Sequence, residues 1–126
     1  MISFDVIVIG GGPAGCAMAL DLNHRGYKVA LCDQAKFPRD KVCGEFISPG
    51  ADPILEQLGL LDSIEALSPK RLKGVAISSY ESEELEIDYP PSTQTDLKPS
   101  SLSVPRFELD ALFLEQVQNV GVTVFE

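Results

Sequence analysis

Between a run of β-branched residues and a helix-forming segment the chain carries Gly10-x-Gly12-x-x-Gly15, and few local patterns restrict a fold as much. Phe4-Asp-Val-Ile-Val-Ile9 is short and almost continuously apolar, which predicts a strand covered on both faces. Pro13 suits the first turn of a helix over Ala14–Arg25, with Gly26 as its C-terminal stop. This helix is apolar nearly all round (Cys16, Ala17, Met18, Leu20, Leu22), so it is expected to be buried. Val29–Asp33 reads as a second strand. Strand, helix and strand within about thirty residues make a βαβ unit with parallel strands and a right-handed crossover.

The three glycines then have distinct work. Gly10 permits a tight turn, Gly12 has no Cβ and lets a pyrophosphate approach the backbone, and Gly15 lets helix and strand pack closely. The helix N-terminus adds amide donors and the positive end of its dipole. Cys16 and Ala17 stand where a Walker loop needs Lys and Ser/Thr, so a nucleoside-triphosphate loop is rejected. Asp33 ends the second strand, where a carboxylate accepts from the ribose hydroxyls and repels a 2′-phosphate. FAD or NAD is therefore favoured over NADP, although Lys36 and Arg39 close behind leave NADP open.

Beyond the βαβ unit the pattern changes. Residues 36–50 read as a loop, Pro53–Leu61 as a short helix, Gly74–Tyr80 as a strand and Glu84–Ile87 as its hairpin partner. The acidic run Glu81, Glu83, Glu84, Glu86 and Asp88 is expected on that hairpin's solvated edge. Residues 90–105 are rich in Pro, Ser and Thr and read as irregular. Pro105 introduces a helix whose apolar stripe is Leu109, Leu112, Phe113, Val117 and Val120, capped by Gly121 and followed by a strand over Val122–Phe125. The organisation expected is a βαβ unit over 1–35, an insertion over 36–104, and a helix and strand over 105–126 that return to the same sheet.

With a formal net charge of −9, nucleic acid is not expected as a partner. Three cysteines, Cys16, Cys32 and Cys43, form neither a disulfide framework nor a metal-ligand pattern and point to a reduced, cytoplasmic setting. His24 is the single histidine, expected at the surface, so a His-ligated metal and a Ser/His/Asp triad are set aside. The apolar start lacks a basic leader and is broken by Gly10–Pro13, which argues against a signal peptide or a transmembrane segment.

Gly10-Gly-Gly-Pro-Ala-Gly15 with Ala19, then Lys36-Phe-Pro-Arg-Asp-Lys-Val-Cys-Gly-Glu45, resembles the FAD-dependent oxidoreductases of the geranylgeranyl reductase type, within the superfamily of class A flavin monooxygenases and flavin-dependent halogenases. Val104-Pro-Arg106-x-x-Leu109-Asp110 is similar to that superfamily's later segment, where an arginine opens a helix. The resemblance implies an α/β, Rossmann-like FAD-binding domain, a parallel sheet with helices on both faces and an inserted loop and β-hairpin. It implies that Gly10, Gly12, Pro13, Ala14 and Gly15 hold the FAD pyrophosphate and that Asp33, where the family more often has Glu, takes the adenosine ribose. Arg39 and Arg106 match the arginines that lie along the cofactor. Cys43-Gly44-Glu45 matches the segment beside the isoalloxazine ring; a buried, inert thiol is the other reading of Cys43.

Cys16 and Cys32 read as core, no catalytic acid or base stands out, and no metal is implied. Proteins of this superfamily run well past this length, with a Gly-Asp motif and a substrate-binding sheet absent here, so the chain is expected to be the N-terminal, truncated part of a flavoprotein and inactive by itself. The parent reaction would use FAD, with NAD(P)H as electron donor and a prenyl-lipid or aromatic small molecule as substrate. An NAD-binding dehydrogenase domain and a non-catalytic FAD-binding module are the rival readings.

Overall fold

The computed structural model of the chain describes residues 1–80, 83–91 and 99–126. β1 (Val6–Ile9) leads through the glycine loop into α1 (Pro13–His24) and then β2 (Val29–Cys32). β-branched residues favour the extended segments, and Pro13 supplies a preset φ where its missing N–H costs no hydrogen bond. α1 stops where Gly26 adopts φ +88° and donates its N–H to the Asn23 carbonyl. β1 and β2 pair in parallel, Val6 beside Val29 through Ile9 beside Cys32.

The middle of the chain holds more regular structure than its composition suggests. β3 (Phe46–Ile47) precedes α2 (Asp52–Gln57), α3 (Leu61–Ala66) and β4 (Lys70–Leu72). The single helix expected over 53–61 is cut at Gln57, because Gly59 takes φ +71° and the chain turns Leu60 into the core. β5 (Gly74–Ile77) and β6 (Leu85–Asp88) form the expected antiparallel hairpin, Gly74 opposite Asp88. Glu84, Glu86 and Asp88 are exposed on it, and Glu81 lies outside the described residues. The stretch read as irregular contains β7 (Ser101–Ser103), which pairs antiparallel with both β3 and β4. Strands of two or three residues are too short to show a period of two, which is why none of these three stands out in the sequence.

α4 (Arg106–Asn119) and β8 (Thr123–Phe125) close the chain. β8 pairs in parallel with β2, so the sheet runs β1-β2-β8 with β2 at its centre. The fold is thus α/β with a parallel Rossmann-like sheet. Helices were expected on both of its faces, but α1 and α4 pack against each other over one face, burying Cys16, Ala19, Leu20, Leu31, Leu109, Phe113 and Val117 in one core. Val8 turns toward that core, whereas Ile7 (60%) and Ile9 (79%) point to the other side and stay exposed, as strand alternation demands. α1, though apolar nearly all round, is therefore buried on one side only, with Met18 exposed, and Cys32 is half-buried rather than in the core. Among the described residues no helix is long and apolar enough to cross a membrane.

Candidate functional site

The loop between β1 and α1 is held by its own backbone. Gly10 has φ +106°, a conformation L side chains rarely adopt, and donates its N–H to the Cys32 carbonyl at 2.7 Å. A Cβ on Gly15 would lie 1.8 Å from the Gly10 carbonyl oxygen, so the first turn of α1 rests directly on the loop. Gly12 occupies the N-cap with no side chain to cap the helix, leaving its first amides to other acceptors. Gly11 is buried; its N–H goes to Asp33 Oδ2 at 2.6 Å, and its carbonyl accepts the Cys16 thiol at 3.2 Å. Burial, then the nearby Asp110 and Asp33 charges, push that thiol up to about 12, so Cys16 is a structural group.

Asp33 sits immediately after β2. Burial disfavours its charge, but hydrogen bonds from the Ala35 and Gly11 amides, with Arg39 beyond them, prevail and hold it below the usual carboxylate value. Its two oxygens accept those amides at 2.8 and 2.6 Å. A carboxylate has about four lone-pair positions, so it retains capacity for a diol.

Two guanidinium groups converge on Gly12. A Cβ there would stand 3.6 Å from Arg39 Nη2 and 3.7 Å from Arg106 Nη2. Arg39 is not a solvated loop charge: it stacks on the Phe37 ring at 4.7 Å, lies 3.9 Å from Asp33 and is only 18% exposed. Arg106 makes a bidentate pair with Asp110, Nε to Oδ1 at 2.6 Å and Nη2 to Oδ2 at 2.9 Å, which raises its pKa. Arg39 Nη1 comes within 3.2 Å of Asp110 Oδ2, an ion-pair distance, yet finds no acceptor in hydrogen-bonding geometry.

Cys43 and Gly44 are exposed, so the inert, buried thiol is not what the fold builds. A hydrogen bond from the Glu45 amide, then one from the Arg106 side chain, lower the Cys43 thiol pKa. Glu45 fastens this segment to α4, its carboxylate accepting the Arg106 N–H at 3.3 Å and its carbonyl the Val104 N–H at 3.2 Å. Lys36 and His24 are exposed.

Two cavities flank the glycine loop. One, about 450 Å³, is bounded by Ile9, Gly10, Cys32, Asp33 and Gln34. The other, about 430 Å³ and mostly apolar, is bounded by Ala14, Cys43, Phe46, Ile47, Arg106 and Phe113 among others. Arg106 borders the apolar cavity, and Arg39 lies 3.9 Å from Asp33, which borders the other. Uncapped helix amides, a buried guanidinium nitrogen without an acceptor and the bare Gly12 backbone faced by two guanidinium groups suit a diphosphate; the Asp33 carboxylate suits a ribose. Among the described residues no cluster of His, Cys, Asp and Glu has the makings of a metal site. Neither Gly11 nor Asp110 stands out in the sequence as a site residue. The one signal is an Asp four residues after Arg106 and beside an apolar stripe, where a buried carboxylate is expected only if paired.

The profile of the FAD binding domain family matches residues 3–126. The chain is 36% identical over 87 residues to squalene monooxygenase of Mus musculus, an alignment covering 68% of this chain and 15% of that protein. It is 38% identical over 107 residues to menaquinone reductase of Mycolicibacterium smegmatis, covering 84% of this chain and 24% of the relative. Its fold superimposes on the myxobacterial chondrochloren halogenase, an FAD-dependent halogenase, with a TM-score of 0.85 and 30% identity over 96% of this chain and 28% of that one. The chain therefore spans less than a third of the length of each of these proteins.

Proposed function

Because the chain belongs to the FAD binding domain family, we propose that its glycine loop holds the ADP half of FAD for a flavin-dependent oxidoreductase. The observation that carries this reading is the pair of guanidinium groups closing on Gly12 at an uncapped helix N-terminus, with Asp33 3.9 Å from Arg39 and bordering a cavity. In it, Gly10, Gly12, Pro13, Ala14 and Gly15 form the floor under the pyrophosphate. Arg39 and Arg106 neutralise it from above, and Asp33 accepts from the adenosine ribose. Residues 1–35 and 105–126 are the parts of the dinucleotide-binding unit, and residues 36–104 are an insertion between them.

In this reading the apolar cavity on the Ala14 side, which Cys43 borders, receives the flavin half of FAD, with Gly44 next to Cys43 in the chain. When bound, the flavin supplies hydride acceptance and delivery; this chain supplies orientation and charge. NAD(P)H is the proposed electron donor. A prenyl-lipid or aromatic small molecule is the proposed substrate, which accords with relatives named for squalene and menaquinone and with the apolar lining of the cavity. A cytoplasmic location is proposed from the three free thiols.

The test is to purify the full chain, denature it, and identify released nucleotide by chromatography and absorption, reconstituting with FAD if none is carried. FAD released or rebound, with binding weakened by Asp33→Ala, is the expected result. NAD bound in preference to FAD, or neither bound after reconstitution, overturns the proposal.

A further inference from the structure

Among the described residues Asp110 is the one charged side chain that is fully buried. It is not a helix cap. It lies in the second turn of α4, between Leu109 and Phe113 of the core, where an apolar residue would pack without the cost of desolvating a charge. Its carboxylate is spent instead on two cations from separate parts of the chain, Arg106 from its own helix and Arg39 from the loop after β2. The bidentate contact occupies Arg106 Nε and Nη2, and the ion pair draws in Arg39 Nη1. Each guanidinium keeps donors unspent, and each presents Nη2 within 3.7 Å of the place where a Gly12 Cβ would stand. With Asp33 close to Arg39, the cluster holds two positive and two negative groups.

The geometry points to Asp110 as the positioning residue of a diphosphate clamp: one buried carboxylate sets the places of both arginines over the glycine loop. This rests on the FAD reading but goes further, since it assigns the recognition of the diphosphate to a residue that cannot touch it. Without the carboxylate, two like charges would stand side by side and spread apart into solvent.

The test compares the full chain with its isosteric Asp110→Asn variant for binding of FAD, ADP and adenosine. FAD and ADP carry the diphosphate, while adenosine offers only the ribose and base that meet Asp33. Loss of the clamp weakens FAD and ADP by about 10- to 100-fold, the range of one or two charge-assisted hydrogen bonds, and leaves adenosine within about threefold. A merely structural Asp110 predicts otherwise: equal losses for ADP and adenosine, or FAD and ADP affinities unchanged below the melting temperature. Either result overturns the clamp while leaving FAD binding in place. If Asp110→Asn does not fold, Arg39→Gln, Arg106→Gln and their combination decide the matter. A shared anchor makes the double variant lose less ADP affinity than the product of the two single losses, whereas multiplicative losses overturn it. A parent chain that binds neither FAD nor ADP removes the FAD reading and the clamp together.

Discussion

Alanine at position 15 would set its Cβ 1.8 Å from the Gly10 carbonyl oxygen, one piece of backbone against another, with no flexible atom to move aside. Alanine at position 12 meets only the tips of Arg39 and Arg106, at ordinary contact distances, and the Gly12 backbone (φ −75°, ψ 179°) is open to any residue. The two substitutions should therefore separate folding from binding. Gly15→Ala should cost about 3 kcal/mol or more of stability, as overpacking against a rigid neighbour does, read by urea denaturation. Gly12→Ala should stay within about 1 kcal/mol of the parent yet weaken FAD about tenfold or more, since its methyl projects into the space between the two guanidinium groups. An unchanged FAD affinity in Gly12→Ala would show that the pyrophosphate does not pass there. The spacing of the three glycines is enough to make this loop legible, because each acts within its own turn. Gly11 is not legible in that way, because its role depends on Asp33, Phe37 and Leu31 closing around it from elsewhere in the chain.

At the scale of elements, α4 shows which signals survive and which do not. Its stripe of Leu109, Phe113 and Val117 is buried as the period of 3.6 requires, whereas Val120, the last residue of that stripe, is 40% exposed beyond the helix end. Leu114 and Asp110 are buried beside the stripe because α4 packs against α3 and β8 as well as α1, which covers more than one row of its side chains. Its N-terminus is tied by the Glu45 carboxylate from 61 residues earlier in the chain, a connection that no local capping signal carries. Phe113 reaches both the core and the apolar cavity. Phe113→Ala should cost about 3–5 kcal/mol, measured as a shift in the urea midpoint without a change in slope. A loss below about 1 kcal/mol would mean that α4 is not anchored where the fold places it.

For the whole molecule, binding and stability are linked through the loop, because a diphosphate seated on Gly12 would draw together α1, the Arg39 loop and the start of α4. FAD at about 100 times its dissociation constant should stabilise the chain by about 2.7 kcal/mol and raise Tm by roughly 10 °C for a domain of this size. NAD at the same concentration should raise it less, and an equal or larger shift would favour a nicotinamide cofactor. What the sequence determined by itself was the βαβ unit, the phosphate loop and the acid after β2, because turn chemistry, strand composition and helix periodicity are local and act within a few residues. Only the tertiary structure decided that α1 and α4 share one face, that three very short strands build a second sheet, and that Arg39 and Arg106 meet over Gly12 on a buried Asp110. These depend on contacts between residues far apart in the chain, and a side chain's burial and partners are properties of the packed core rather than of its sequence neighbours.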